Sequence, residues 1–182
     1  MLGEQMEMYF SPEQIALATK SFAEAEIMTR RFFGINTGEQ KLHRYDVKTR
    51  AFLEKHEICD GTFAHLFKYE LNKEQGPDRD DDKALVFYRI CLQDDVILDA
   101  VKRADSFVRL SPLLLYVATH ELVHVIRFER GEGDFYATGD EKTSEEEKVH
   151  RITRNLLKPL ADTEMNLVLD CFSDRYRMQP FQ

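Results

Sequence analysis

Apolar and polar positions divide the chain into helix-like stretches toward both ends and alternating stretches between them. The first periodic run opens at Ser11-Pro12-Glu13, with a serine N-cap, a proline at the first helical position and an acid in the first turn. Ile15, Phe22, Ile27 and Met28 then recur at roughly helical spacing, which predicts a helix up to Phe32-Phe33-Gly34. Tyr45 to His56 carries a weaker pattern of the same kind and is expected to be helical too. Phe63 to Leu71 and Ala84 to Leu92 are rich in aromatic and branched residues, and their alternation predicts strands. Between them, Gly76-Pro77 leads into Asp78-Arg79-Asp80-Asp81-Asp82. That run lacks the glycine and closing glutamate of a helix-loop-helix calcium site, so a solvated hairpin loop is expected.

Helical grammar returns in the second half. Asp94-Asp95 is expected to cap a short helix from Val96 to Arg103. Ser111-Pro112 repeats the start signal of the first helix and predicts a second long one, ending near Arg130 before Gly131-Glu132-Gly133. A polar loop through Gly139-Asp140 follows. Thr143-Ser144-Glu145-Glu146-Glu147 then opens a helix reaching Leu157 and Pro159, and a last helix runs from about Ala161 to Phe172. Helices, then strands, then helices describe an α+β protein, and 182 residues suffice for a single domain with a substantial core.

Composition narrows the function classes. With 43% hydrophobic and 32% charged residues the chain has an ordinary globular make-up, and a net charge of -8 argues against broad nucleic-acid binding. The start, Met1 to Glu7, has neither the basic opening nor the apolar run of a signal peptide, and no stretch approaches membrane-spanning length. Cys59, Cys91 and Cys171 have no paired spacing and are expected to be reduced thiols, buried rather than reactive. The expectation is a cytoplasmic protein without a membrane or nucleic-acid partner.

The chemistry concentrates in His120-Glu121-Leu122-Val123-His124. At about 100° per helical residue, His124 falls about 40° from His120 and Glu121 about 100°, so all three share one quadrant. Two histidines four apart can place both imidazoles on one divalent ion, zinc before others, with the glutamate beside it. Leu113, Leu114, Leu115, Val117, Ala118, Leu122, Val123, Val125, Ile126 and Phe128 cover nearly every face of the helix, which predicts burial. Buried imidazoles and a buried carboxylate need partners, because each group left unsatisfied costs about 1–3 kcal/mol. Hydrogen bonds within the core are one solution; a metal satisfies all three at once.

A third ligand is expected on the next helix. Its apolar stripe is Val149, Ile152, Leu156 and Leu160; Glu145 and Glu146 each lie about 50° from the stripe centre, Glu147 about 150° and His150 about 90°. Glu147 should face water. Glu146 is the first candidate, with His150 as the alternative ligand or as a partner behind the ligands.

Val117 to Ile126 resembles the zincin metallopeptidases, in the longer form of their signature where uncharged residues surround the histidines. The branch resembled is the one whose third ligand is a glutamate on the following helix, and the resemblance covers about Lys83 to Pro159. It implies a small mixed sheet packed on the active-site helix, an edge strand that holds peptide substrate, and Glu121 as the general base of peptide-bond hydrolysis. On this reading residues 83–160 form the metal-binding core, residues 1–82 an unassigned N-terminal part and residues 161–182 a C-terminal helix. Two departures stand out: no third histidine follows His124, and His150 occupies the place where many members of that branch carry an acid. His65, Arg127 and Tyr136 are the candidates for stabilising an oxyanion.

Two other functions compete. Glu121-Leu-Val-His124 and Glu147-Lys-Val-His150 are paired Glu-x-x-His motifs of the kind that hold two metals in four-helix carboxylate oxidoreductases. The loop between them is too short to supply the intervening helix, and Ala84 to Leu92 speaks for a strand. The other rival is a zincin-like scaffold acting as a binding or regulatory module with little hydrolysis.

Overall fold

A computed structural model describes residues 8–35, 45–71, 85–105 and 107–173. The protein is α+β, with five α-helices and one three-stranded sheet among these residues. Helix α1, Pro12–Phe32, begins as its sequence dictates: the Ser11 hydroxyl accepts the Gln14 N–H and the Gln14 side chain accepts the Ser11 N–H at 2.8 Å. Gly34, at φ +66°, lets the Ile35 N–H turn back to the Arg30 carbonyl and closes the helix.

The stretch expected to be helical from Tyr45 to His56 is instead strand β1, Tyr45–Lys48, followed by two short 3-10 turns, Arg50–Phe52 and Lys55–Glu57. Its partner explains the difference. β1 pairs in parallel with β3, Leu85–Leu92, in the register Val47 to Ile90, and Asp46 receives the Arg89 guanidinium at 3.0 Å. Strand β2, Ala64–Leu71, pairs antiparallel with β3 along its length, so β3 is central and the sheet is mixed. The pairing is that of the expected hairpin; its acidic loop lies outside the described residues. Tyr88, Ile90 and Leu92 of β3 enter the hydrophobic core.

Helix α2 spans Asp94–Arg103. Asp94 does not cap it: Gln93 takes the cap position, and the buried Asp94 carboxylate accepts the N–H groups of Phe10 and Arg50 at 2.9 and 3.0 Å. Helix α3, Leu110–Glu129, begins one residue before Ser111, with Arg109 at the N-cap, so the expected serine cap is absent. It lies at the centre of the helical layer, packed against α1, α4 and α5. Helix α4, Gly139–Leu157, starts four residues before Thr143, and α5, Thr163–Cys171, is capped by the Asp162 carboxylate. Cys91 is buried as expected, whereas Cys171 is exposed and Cys59 partly so. Among the described residues, no helix is long and apolar enough to cross a membrane.

Candidate metal centre

The site begins with the burial of α3. Apolar side chains round its circumference seat it in the core, and that carries His124, Glu121 and most of His120 out of water. Helix α4 then packs across it, with Val149 buried one turn beyond Glu145, and brings Glu146 to the imidazoles. His120 Nε2 stands 3.4 Å from one Glu146 oxygen and His124 Nε2 stands 3.3 Å from the other. One ligand atom from each residue lies within 4.8 Å of the others.

These distances suit a metal. Tetrahedral bonds of about 2.0–2.1 Å place donor atoms about 3.3–3.4 Å apart, the separation seen from each imidazole to the carboxylate. Two imidazoles and one carboxylate form a donor set for a borderline divalent ion, with room in its coordination for a further ligand. The fit is incomplete behind the ligands. Among the described residues, neither buried Nδ1 atom has a hydrogen-bond partner, where a ligating histidine ordinarily donates that N–H to an oxygen.

Electrostatics prepare the groups differently. Burial pushes the His120 pKa down to about 4, against the pull of Glu146, so this imidazole is neutral at pH 7 and free to ligate. Burial acts the same way on His124 but is outweighed by Glu146 and Glu121, which raise it. Burial likewise works to raise the Glu146 pKa, yet its hydrogen bonds to both histidines hold it well below the carboxylate range. Glu121 is pushed up to about 7, mainly by burial, with His124 opposing and the Glu146 charge reinforcing the shift.

His150 is not placed among the three ligand residues. Its Nδ1 is 2.6 Å from the Tyr116 hydroxyl, and its ring lies against that of His120 with centroids 4.5 Å apart. Of the neighbouring glutamates, Glu147 is exposed, as the wheel predicts, while Glu145 is buried against Arg127. Among the described residues, Glu147 therefore stands outside the group that could hold an ion. Of the oxyanion candidates, Arg127 is engaged by Glu145 and Glu132, and the His65 ring packs against Phe67 on β2. Tyr136 is 65% exposed, with Lys68 over its ring.

Sequence reasoning missed Tyr116 and the Arg127–Glu145 pair. Tyr116 precedes His120 by four residues, so helical spacing places it on the same face, and that signal was there to read. It stacks on Phe172, ring centroids 4.1 Å apart, which closes the far side of the cluster. The Arg127–Glu145 pair joins two helices and has no local signature. Set against known proteins, the chain matches no family model, no curated protein and no solved structure, so the reading of the centre stands on its geometry.

Proposed function

We propose that the chain is a zinc-dependent hydrolase of peptide bonds, of zincin-like architecture, with His120, His124 and Glu146 as the metal ligands. The observation that carries this reading is the convergence of both imidazole Nε2 atoms on one carboxylate, at 3.3 and 3.4 Å, beside a buried glutamate. When bound, zinc supplies Lewis acidity, polarising a carbonyl and lowering the pKa of a water at its open position.

The remaining work belongs to the chain. Glu121 neighbours His120 in sequence and is poised to exchange a proton near neutrality, so its carboxylate takes a proton from the attacking water and returns it to the leaving amine. Glu146, held ionised, balances the charge of the centre and fixes both imidazoles. A peptide or protein is the substrate.

The test is hydrolysis of unfolded protein and of a peptide library by the zinc-supplied chain and by Glu121→Gln, with metal content measured in both. The expected result is cleavage by the wild type, reduced about 10²–10⁴-fold in Glu121→Gln at unchanged zinc. A wild-type chain without metal after zinc is supplied overturns the reading. A second reading, a scaffold that binds without hydrolysing, draws on the two unpartnered Nδ1 atoms, since ligands without outer support hold metal less tightly. Retained zinc with no cleavage of any peptide favours it.

A further inference from the structure

Three consecutive glutamates, Glu145, Glu146 and Glu147, pass the histidines on α4, and one of them faces the imidazoles. We infer that Arg127 makes that selection: by holding Glu145 it acts as a positioning residue that turns Glu146 onto His120 and His124. The inference rests on the metal-binding reading above and goes beyond it, since Arg127 acts one residue away from the ligand.

Arg127 follows His124 by three residues, close to one turn further along α3. Its Nε donates to Glu145 Oε1 at 2.7 Å and its Nη2 to Glu145 Oε2 at 2.9 Å, a two-pronged contact with both side chains 9% exposed. The same guanidinium donates through Nη2 to the Glu132 carbonyl and through Nη1 to the Glu132 carboxylate, each at 3.0 Å. One side chain therefore ties the last turns of α3, the loop after it and the body of α4. A planar fork fixes the direction of the carboxylate as well as its distance.

Direction is what the site needs. Successive residues on a helix are about 100° apart, so fixing Glu145 toward Arg127 fixes the rotation of α4. Glu146 is then presented to the histidines and Glu147 to solvent. Gly133 supplies an independent sign that Glu145 is seated. A Cβ at position 133 would lie 2.7 Å from Glu145 Oε1 and 2.8 Å from its Cδ, so the loop passes flush over the carboxylate. The carboxylate cannot yield to that Cβ without leaving the fork of Arg127.

The experiment uses cobalt(II) as the probe on the full chain, reading its visible d–d spectrum and its affinity by competition with a chelator. The variants are Arg127→Met, Arg127→Lys, Gly133→Ala and, as a control for stability alone, Leu157→Ala, which opens a buried position near the end of α4. Arg127→Met and Gly133→Ala are expected to bind cobalt about 10–100-fold more weakly, with an altered spectrum. Arg127→Lys keeps the charge and loses the fork, and should fall with them. Leu157→Ala should be less stable yet keep the wild-type spectrum and affinity.

Wild-type spectra and affinities in folded Arg127→Lys and Gly133→Ala overturn the inference and leave the metal reading intact, whether or not Arg127→Met folds. An equal loss in Leu157→Ala overturns it too, by reducing the effect to stability. A wild-type chain that takes up no cobalt overturns the metal reading, and this inference with it.

Discussion

Two buried polar clusters in this molecule are finished to different standards. On the outer face of the sheet, the fully buried Glu57 accepts from the Glu54 N–H at 2.9 Å, the Tyr69 hydroxyl at 2.7 Å and Arg89 at 3.0 Å. Gln93, also fully buried, donates to the carbonyls of Glu57 and Cys91 and accepts the Cys59 N–H. Where α3 meets α4, Glu146 accepts from two imidazoles whose other nitrogens have no partner among the described residues, and Glu121 is buried close to its titration point at neutral pH. A complete network holds a loop on a sheet. An incomplete one is kept at a cost in stability, as expected where something else is to bind.

The largest effect should separate the two clusters. Alanine at His120 or at Glu146 is expected to take zinc from near-stoichiometric to background in elemental mass spectrometry, while His150→Ala retains it. Zinc retained in His120→Ala would end the comparison. Next, Arg89→Met strands the Glu57 carboxylate without its cation and should cost about 3–5 kcal/mol in urea unfolding, with zinc content unchanged. A coupled loss of zinc would show that the two clusters are one unit.

The smallest effect concerns acid. Burial works to raise the Glu57 pKa, but its hydrogen bonds and Arg89 outweigh it and lower the value from 4.5 to about 2. A depressed carboxylate contributes stability that is present above pH 4.5 and lost as pH falls toward 2, on the order of 3 kcal/mol. Unfolding followed from pH 6 to about 2 should show that loss in the wild type and a flatter profile in Arg89→Met. Equal slopes would remove Glu57 as the source.

What was legible in the sequence was local. Ser11-Pro12 announces α1, alternation gives β2 and β3, and the apolar circumference of α3 foretells the burial of its histidines. What was not legible depends on partners far along the chain. Tyr45–Lys48 is a strand because β3, some forty residues on, offers it a parallel edge, and four residues are too few to display that locally. Glu145 and Glu146 stood at equal angles from the apolar stripe. Arg127, on another helix, distinguishes them, and a helical wheel cannot contain it. The reach of His150 to Tyr116 is likewise a contact between helices.

On the proposed metal-binding reading, the unequal burial of the two helices sets which of them would register an arriving ion. Helix α3 buries 14 of its 20 residues and α4 only four of its 19. The amides of His120 and His124 should therefore exchange with solvent deuterium only when the whole fold opens, whereas those around Glu146 exchange through smaller, local openings. An ion joining the two helices has little left to slow on α3. Its mark should be delayed exchange on α4, so that the helix of the two histidines is already rigid and the helix of Glu146 becomes so.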